Sequence, residues 1–541
     1  MRHIPRWILL CSVAVAPLTA MAGDFEGLFK GHTLDEPGCA VGVSRQGQPV
    51  TYGSYGGADL EHAVPVTPDT IMETGSVSKQ FTAASILLLA QDGKLALTDD
   101  IRKYLPEMPD YGTPITINHL LSHTSGLRDW GEVRLLAGWP RTDEVYTNQE
   151  ALQIIARQKA LNYKPGEAYS YTNTGFTLSA IIVERISGKS FQDFTRERIF
   201  APLGMTKTQW RTNFRRVLKD RAIAYRAKDA DGYTQEMPFE DTYGHGGLLS
   251  TAHDLLTWND ALTAKKLGAS VTERLEEQAV LTGGRKIAYA RGLQHATYKD
   301  VHEISHGGAT AAYRTWLGRY PSLGMSVAVL CNGAGIDATK LGRDAVEQLR
   351  PTPPKFTEVT GSAVPSAELS ALQGVYVDER TGGSTRVIAS DGALKLVNLH
   401  DKRETNLLRL GANRYKNGTA EMVFKGGVVE RRMPDGDVTS YRKVDGYTPP
   451  AAELAALVGS YNSAEAGGVQ TLSVKDGRLV LTPADRPSVA FALTPLARDL
   501  YQDDEGLIAI VRDPSGRASG IRFIHARAYN LVFARAERPS T

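Results

Sequence analysis

The sequence is poor in cysteine, nearly balanced in charge and without a long apolar run beyond its first residues. Three cysteines among 541 residues exclude a disulfide-dense secreted scaffold. After the N-terminal segment no apolar stretch is long enough to span a bilayer, which argues against a helical membrane protein. Lys and Arg number 62 against 60 Asp and Glu. That balance gives no electrostatic case for binding nucleic acid or an anionic membrane surface. Two hydrolase signatures are also missing. His119 and His123 stand four apart, but no glutamate completes an H-E-x-x-H arrangement and no third ligand follows. They read as structural histidines on a helix rather than zinc ligands. Gly-x-Ser-x-Gly is absent, which argues against an α/β-hydrolase.

What is present begins at the N-terminus. Arg2 and Arg6 precede a short apolar run, Trp7 to Leu18, and Ala20-Met21-Ala22 forms an A-x-A cleavage signal. Residues 1–22 therefore read as a cleaved signal peptide, and the chain as periplasmic or secreted. The alternative is a membrane anchor, for which the run is short. Cys11 follows Leu10, where lipid attachment wants a small residue. Cleavage removes two arginines and no acid, so the mature chain is formally neutral. It keeps Cys39 and Cys331, each in a strand-like run. An oxidising compartment permits a disulfide between them, and two buried free thiols are the alternative.

Residues 23–350 mix strand and helix signals and describe an α+β domain. Residues 38–44 and 50–56 read as a hairpin, and 302–308, 313–320 and 324–331 as strands. Helices fit 77–91, 114–123, 148–158, 175–187, 190–200 and 251–264. The first is apolar nearly all round, which makes it central. Pro351, Pro353 and Pro354 mark a linker. Beyond it the chain repeats with an offset of 85 residues. Ala367-Glu368-Leu369 matches Ala452-Glu453-Leu454, Gly382-Gly383 matches Gly467-Gly468, and Asp391-Gly392 matches Asp476-Gly477. Alternating short runs with turn signals predict two small all-β units, barrels or sandwiches, over 366–446 and 451–538.

Ser76 stands just before the apolar helix, with Lys79 one turn later on the same face. A serine needs a nearby base to act as a nucleophile, and a lysine serves if its pKa is depressed. Alone, this pair also fits a helix cap beside a solvated lysine. Tyr171-Thr172-Asn173 precedes an apolar helix and offers a second proton carrier and an amide. His306-Gly307-Gly308 lies on a strand, where glycines let a substrate backbone approach closely.

Ser-x-x-Lys, Tyr-x-Asn and His-Gly-Gly, in this order and spacing, resemble the serine β-lactamase and penicillin-binding-protein family over roughly residues 35–335. That branch includes class C β-lactamases, D-alanyl-D-alanine carboxypeptidases, esterases and D-aminopeptidases. The runs 119–127 and 246–255 support the resemblance. It implies an acyl-enzyme on Ser76, with Lys79 and Tyr171 sharing general base and acid work. Asn173 would orient Lys79 and bind a substrate carbonyl. The N–H groups of Ser76 and Ala309 would form the oxyanion hole, and His306 would bond substrate or Tyr171. The implied fold is a five-stranded antiparallel sheet beside a helical lobe. The overall plan is similar to the D-aminopeptidases, with two β-barrels after the catalytic domain. There a loop of the last barrel limits access to the cleft. The corresponding turn here is read as 501–506, which is short and acidic.

His-Gly-Gly occurs at 245–247 and 306–308. The first runs into a helix, so the motif is assigned to the second. Many relatives carry Lys-Thr-Gly there, and a histidine is a weaker carboxylate anchor. The expected function is an exported serine hydrolase cleaving an ester or a D-amino-acid amide or peptide bond. A D-alanyl-D-alanine carboxypeptidase or β-lactamase is the alternative, and a non-catalytic penicillin-binding sensor the rival from another class. A small molecule or short peptide is the expected partner. No cofactor is implied, and the oligomeric state stays open.

Overall fold

The computed structural model describes residues 27–355 and 359–536. The expected signal peptide lies outside the described residues. Among them no helix is long and apolar enough to cross a membrane.

The sheet is built from both ends of the first domain. Its centre is Met325–Cys331, buried throughout. Such a run shows no alternation because both faces are covered. Val327, Val329 and Cys331 pack with the helix Ala338–Leu349, while Ala328 and Leu330 join the core of the helical side. The strand order is Thr51–Tyr55, Cys39–Arg45, Met325–Cys331, Tyr313–Tyr320, Val301–Thr310 and Gln294–Tyr298. This is one strand more than the resemblance implied. The extra strand, Gln294–Tyr298, is half-exposed and lacks an alternating apolar pattern. Its pairing stops at Ser305, so residues 306–310 keep an edge free of a strand neighbour on that side. Cys39 and Cys331 face each other across neighbouring strands and are joined by a disulfide. This replaces the reading of two free thiols.

The helix Lys79–Gln91 is buried from Lys79 to Leu89. It packs against Thr174–Ser187 and Ala269–Glu276, as its all-round apolar character requires. The helices Trp130–Leu136, Ala269–Glu276 and Ala338–Leu349 are absent from the sequence-based expectations, although the last is strongly amphipathic and capped by Asp337. The helix expected over 114–123 is only Ile117–Leu121: Thr116 caps its start, accepting from His119 N, and the positive φ of 58° at His123 ends the helical path.

The first C-terminal unit is a closed eight-stranded barrel, from Gly374–Val377 to Val438–Val444. The second has nine strands. Its two end strands, Phe491–Ala492 and Thr494–Ala497, are consecutive in the chain, so the sheet curls nearly closed. The repeat is visible in bonds as well as letters. Tyr376 Oη donates to Leu372 O at 2.9 Å, and Tyr461 Oη to Leu457 O at 2.6 Å. The duplicated Gly-Gly turns became docking points. A Cβ on Gly382 would meet Ile524 O of the second barrel at 1.9 Å, and one on Gly468 would meet Ala137 O of the helical lobe at 2.9 Å. The second barrel shares one buried cluster with that lobe, running from Leu136 and Ala137 to Leu472 and Phe523.

Candidate active site

Ser76 lies in a single 3₁₀ turn, Gly75–Ser78, that leads into the central helix. Gly75 has φ +51°, and a Cβ there would sit 2.6 Å from Ala309 N. A Cβ on Gly308 would sit 2.0 Å from Thr74 O and 3.1 Å from Ser76 N. The turn and the strand Val301–Thr310 can therefore interlock only through glycines. Their contact brings the amides of Ser76 and Ala309 to one place at the free sheet edge. Ser78 Oγ donates to Gly75 O at 2.5 Å and braces the turn from below.

Lys79 is fully buried. Its Nζ stands 3.1 Å from Ser76 Oγ, 3.0 Å from Asn173 Oδ1 and 2.7 Å from His245 O. Burial pushes its pKa well down, and the cations Arg527 and Arg141 push the same way. Asp129 and Glu240 oppose them without reversing the shift. A neutral amine at that distance can accept the serine proton.

Tyr171 lies under aromatic and cationic neighbours. The His123 ring is 4.2 Å away, Lys79 Nζ is 4.8 Å from its ring centroid and Arg527 5.4 Å. Burial drives its pKa up, and Ser76 and Arg527 only partly offset this. Its hydroxyl is a neutral phenol facing Ser76 and has no fully formed hydrogen bond. That suits a proton relay rather than a phenolate.

His306 is buried on the free edge of its strand. Its Nδ1 is 2.6 Å from Gly307 O and its Nε2 3.1 Å from Tyr289 Oη. Nδ1–H therefore donates and Nε2 accepts. Burial, helped by Lys79, lowers its pKa to about 4, so it is neutral near pH 7. The expectation that it bonds Tyr171 is corrected: their rings are 6.1 Å apart and Tyr289 takes the bond. Both His-Gly-Gly motifs reach the site. His306 lines the cleft, while the backbone of His245 holds Lys79 from behind.

Sequence reasoning missed the support beneath Lys79. His245 contacts Thr177 Oγ1 at 3.0 Å and Arg141 at 3.1 Å. Arg141 and Arg211 both engage the buried Glu240, and Arg211 also engages Glu73 at 2.8 Å. Burial would raise the pKa of Glu240, but Arg141 and Arg211 hold it down at about 2. His245 stands in the first His-Gly-Gly motif, but Thr177, Arg141, Arg211, Glu240 and Glu73 are scattered singly along the chain, so no local motif announces them.

Ser76, Tyr171, Asn173, His306, Gly308 and Ala309 line one cavity of about 680 Å³. Arg527 lines it too, from the second barrel. The barrel segment at the cleft is thus the turn at 526–527, not 501–506. The acidic turn lies behind it: Asp503 stands 3.6 Å from His525 Nε2, at ion-pair rather than hydrogen-bond distance. Metal-capable side chains also gather at Asp59, Glu61 and His62, among the described residues, but outside this cavity.

The sequence pattern of the family described as Beta-lactamase matches residues 26–350. The chain belongs to the beta-lactamase family. Among its relatives, a D-aminopeptidase of Cereibacter sphaeroides is 30% identical over 333 residues, covering 60% of this chain and 63% of that one. Penicillin-binding protein 4* of Bacillus subtilis is 32% identical over 314 residues, covering 55% of this chain and 67% of its own length. The matched segment spans a little under two thirds of the D-aminopeptidase. Among solved structures, the octameric penicillin-binding protein homologue from Pyrococcus abyssi aligns with a TM-score of 0.54 at 24% identity, covering 75% of this chain and 96% of that one. At that identity the likeness concerns the fold.

Proposed function

We propose that this beta-lactamase family member is an exported serine hydrolase that cleaves an ester or a D-amino-acid amide or peptide bond through an acyl-enzyme. The observation that carries it is the buried Lys79 amine, 3.1 Å from Ser76 Oγ and oriented by Asn173 and His245 O. Lys79 takes the Ser76 proton as Oγ attacks the acyl carbon. The oxyanion then forms beside the amides of Ser76 and Ala309. Tyr171 and Lys79 pass the proton to the leaving group. A water, deprotonated by the same pair, releases the acid and restores Ser76.

The substrate class is supported by the D-aminopeptidase relatives and by His306, which is neutral where many of the family carry a lysine. The relative named a penicillin-binding protein supports the second reading, a D-alanyl-D-alanine carboxypeptidase or β-lactamase. The positive start and A-x-A signal support export to the periplasm or medium. The test is a kinetic panel of D- and L-alanine amides, short-chain esters, D-Ala-D-Ala peptides and a chromogenic cephalosporin. D-amides or esters turning over faster than the cephalosporin is the expected order. The reverse order would favour the β-lactamase reading.

A further inference from the structure

Arg527 has no assigned part in the acyl transfer, yet it reaches the cleft from the far end of the chain. It sits at the tip of the hairpin between Ala518–His525 and Ala528–Arg535. That tip is tied down on both sides. Arg527 O accepts from Asp129 N at 3.0 Å and from Asn162 Nδ2 at 3.2 Å. Ala526 O accepts from Ser170 Oγ at 3.3 Å, and Tyr529 N donates to Asn162 Oδ1 at 2.8 Å. The Arg128 guanidinium donates to the carbonyls of Tyr529 and Asn530. A tip held this way presents its side chain from a fixed backbone.

Arg527 is half-buried, and its guanidinium lies over the Tyr171 ring, in the cavity that holds Ser76. Among the described residues no carboxylate lies within ion-pair distance of it. The other charged side chains lining the cavity are held by hydrogen bonds within the protein, although Arg314 too has no carboxylate partner among the described residues. Arg141 is paired with Glu240, and Arg314 donates to the carbonyls of Ala311 and Tyr313. Asp337 caps the helix Ala338–Leu349 through Lys340 N at 2.9 Å. The nearby Asp129 carboxylate accepts from the amides of Gly131, Glu132 and Asn173. A half-buried guanidinium left without a counter-ion in a cleft has lost part of its hydration and offers its planar fork to an anion.

We infer that Arg527 reads the substrate: it holds a carboxylate of the molecule whose acyl bond Ser76 attacks. The inference rests on the hydrolase reading and sharpens its substrate class. The cation missing at His306 arrives from another domain instead. The expectation that His306 turns the site away from carboxylate-bearing substrates therefore applies to the strand position alone. The carboxylate could belong to the leaving portion or to the acyl portion, and the test separates them.

Binding to full-length Ser76→Ala is measured by calorimetry with two matched pairs. One is N-acetyl-D-alanyl-D-alanine against its C-terminal carboxamide. The other is N-succinyl-D-alaninamide against the corresponding succinamoyl compound. The acid of at least one pair is expected to bind about tenfold or more tightly than its neutral partner, the strength of one charged hydrogen-bonded contact. Adding Arg527→Gln is expected to bring that preference below about threefold, and Arg527→Lys to retain part of it. The ratio of kcat/KM within each pair, measured with Ser76 intact, provides a second reading that does not depend on one variant folding. No acid preference in either pair, or a preference that survives Arg527→Gln, would overturn the inference. Failure of the hydrolase reading is distinguishable, because it abolishes turnover of every substrate while the binding comparison still decides the role of Arg527.

Discussion

The amide of Asp129 donates to the carbonyl of Arg527 at 3.0 Å, joining the catalytic domain to the tip of the second barrel. The Asp129 carboxylate accepts from the Asn173 amide, and Asn173 Oδ1 accepts from Lys79 at 3.0 Å. A hydrogen-bonded path thus runs from the barrel to the base beside Ser76. Asp129 also caps the helix Trp130–Leu136 through Gly131 N and Glu132 N. Asp129→Ala is expected to cost about 1–3 kcal/mol of stability, from the lost cap and the unpaired amides. It is also expected to lower kcat more than it raises KM. Denaturant unfolding and steady-state kinetics check both, and Asp129→Asn, which keeps a cap, should recover most of the stability.

The rate should rise with pH as Lys79 loses its proton. Removing Lys79 as Lys79→Ala is expected to cost about 10³-fold or more in kcat. The sign for Arg527 follows from charge. A nearby cation disfavours the protonated amine, so Arg527 helps to depress the Lys79 pKa. Arg527→Gln should raise that pKa and move the rising limb of the pH–rate profile to higher pH. A limb that stays in place, or moves down, would contradict this coupling.

His525 anchors the same hairpin and is paired with Glu132 at 3.0 Å and Asp503 at 3.6 Å. Burial alone would lower its pKa, but Asp503 and Glu132 outweigh it and hold the value up at about 10. A raised folded-state pKa contributes stability that is complete below the unfolded value of about 6.5 and is lost as pH rises toward 10. The melting temperature should therefore fall between pH 6.5 and 10 by more in the wild type than in His525→Gln. Equal slopes would show that the pair does not hold the imidazolium.

The disulfide joins the two strands that close the domain, 292 residues apart in sequence. Its loss as Cys331→Ser is expected to cost about 2–5 kcal/mol. Intact mass of the unreduced protein should be two hydrogen atoms lighter than the dithiol. Two alkylatable thiols in the native chain would rule the bond out.

Ser76, Lys79, Tyr171, Asn173 and His306 are legible in the sequence because each lies in a short motif whose spacing sets its geometry locally. The central helix and the inner strands are legible for a similar reason, since complete burial leaves unbroken apolar runs. The barrel duplication shows as one constant offset. Arg527, Tyr289 and Glu240 are not legible. Each is a single residue brought to the site by the packing of distant segments, and nothing beside it in the chain says so. The acidic turn 501–506 attracts attention through its composition, yet it serves His525 from behind the cleft. Gln294–Tyr298 escapes notice because an exposed edge strand needs no apolar alternation.

The central claim is that Ser76 is a nucleophile activated by Lys79. Labelling with a fluorophosphonate probe, read by intact mass, tests it most directly. The wild type should take up one phosphonyl group, Lys79→Ala should react far more slowly, and Ser76→Ala should not react. Labelling that persists in Ser76→Ala would contradict the account.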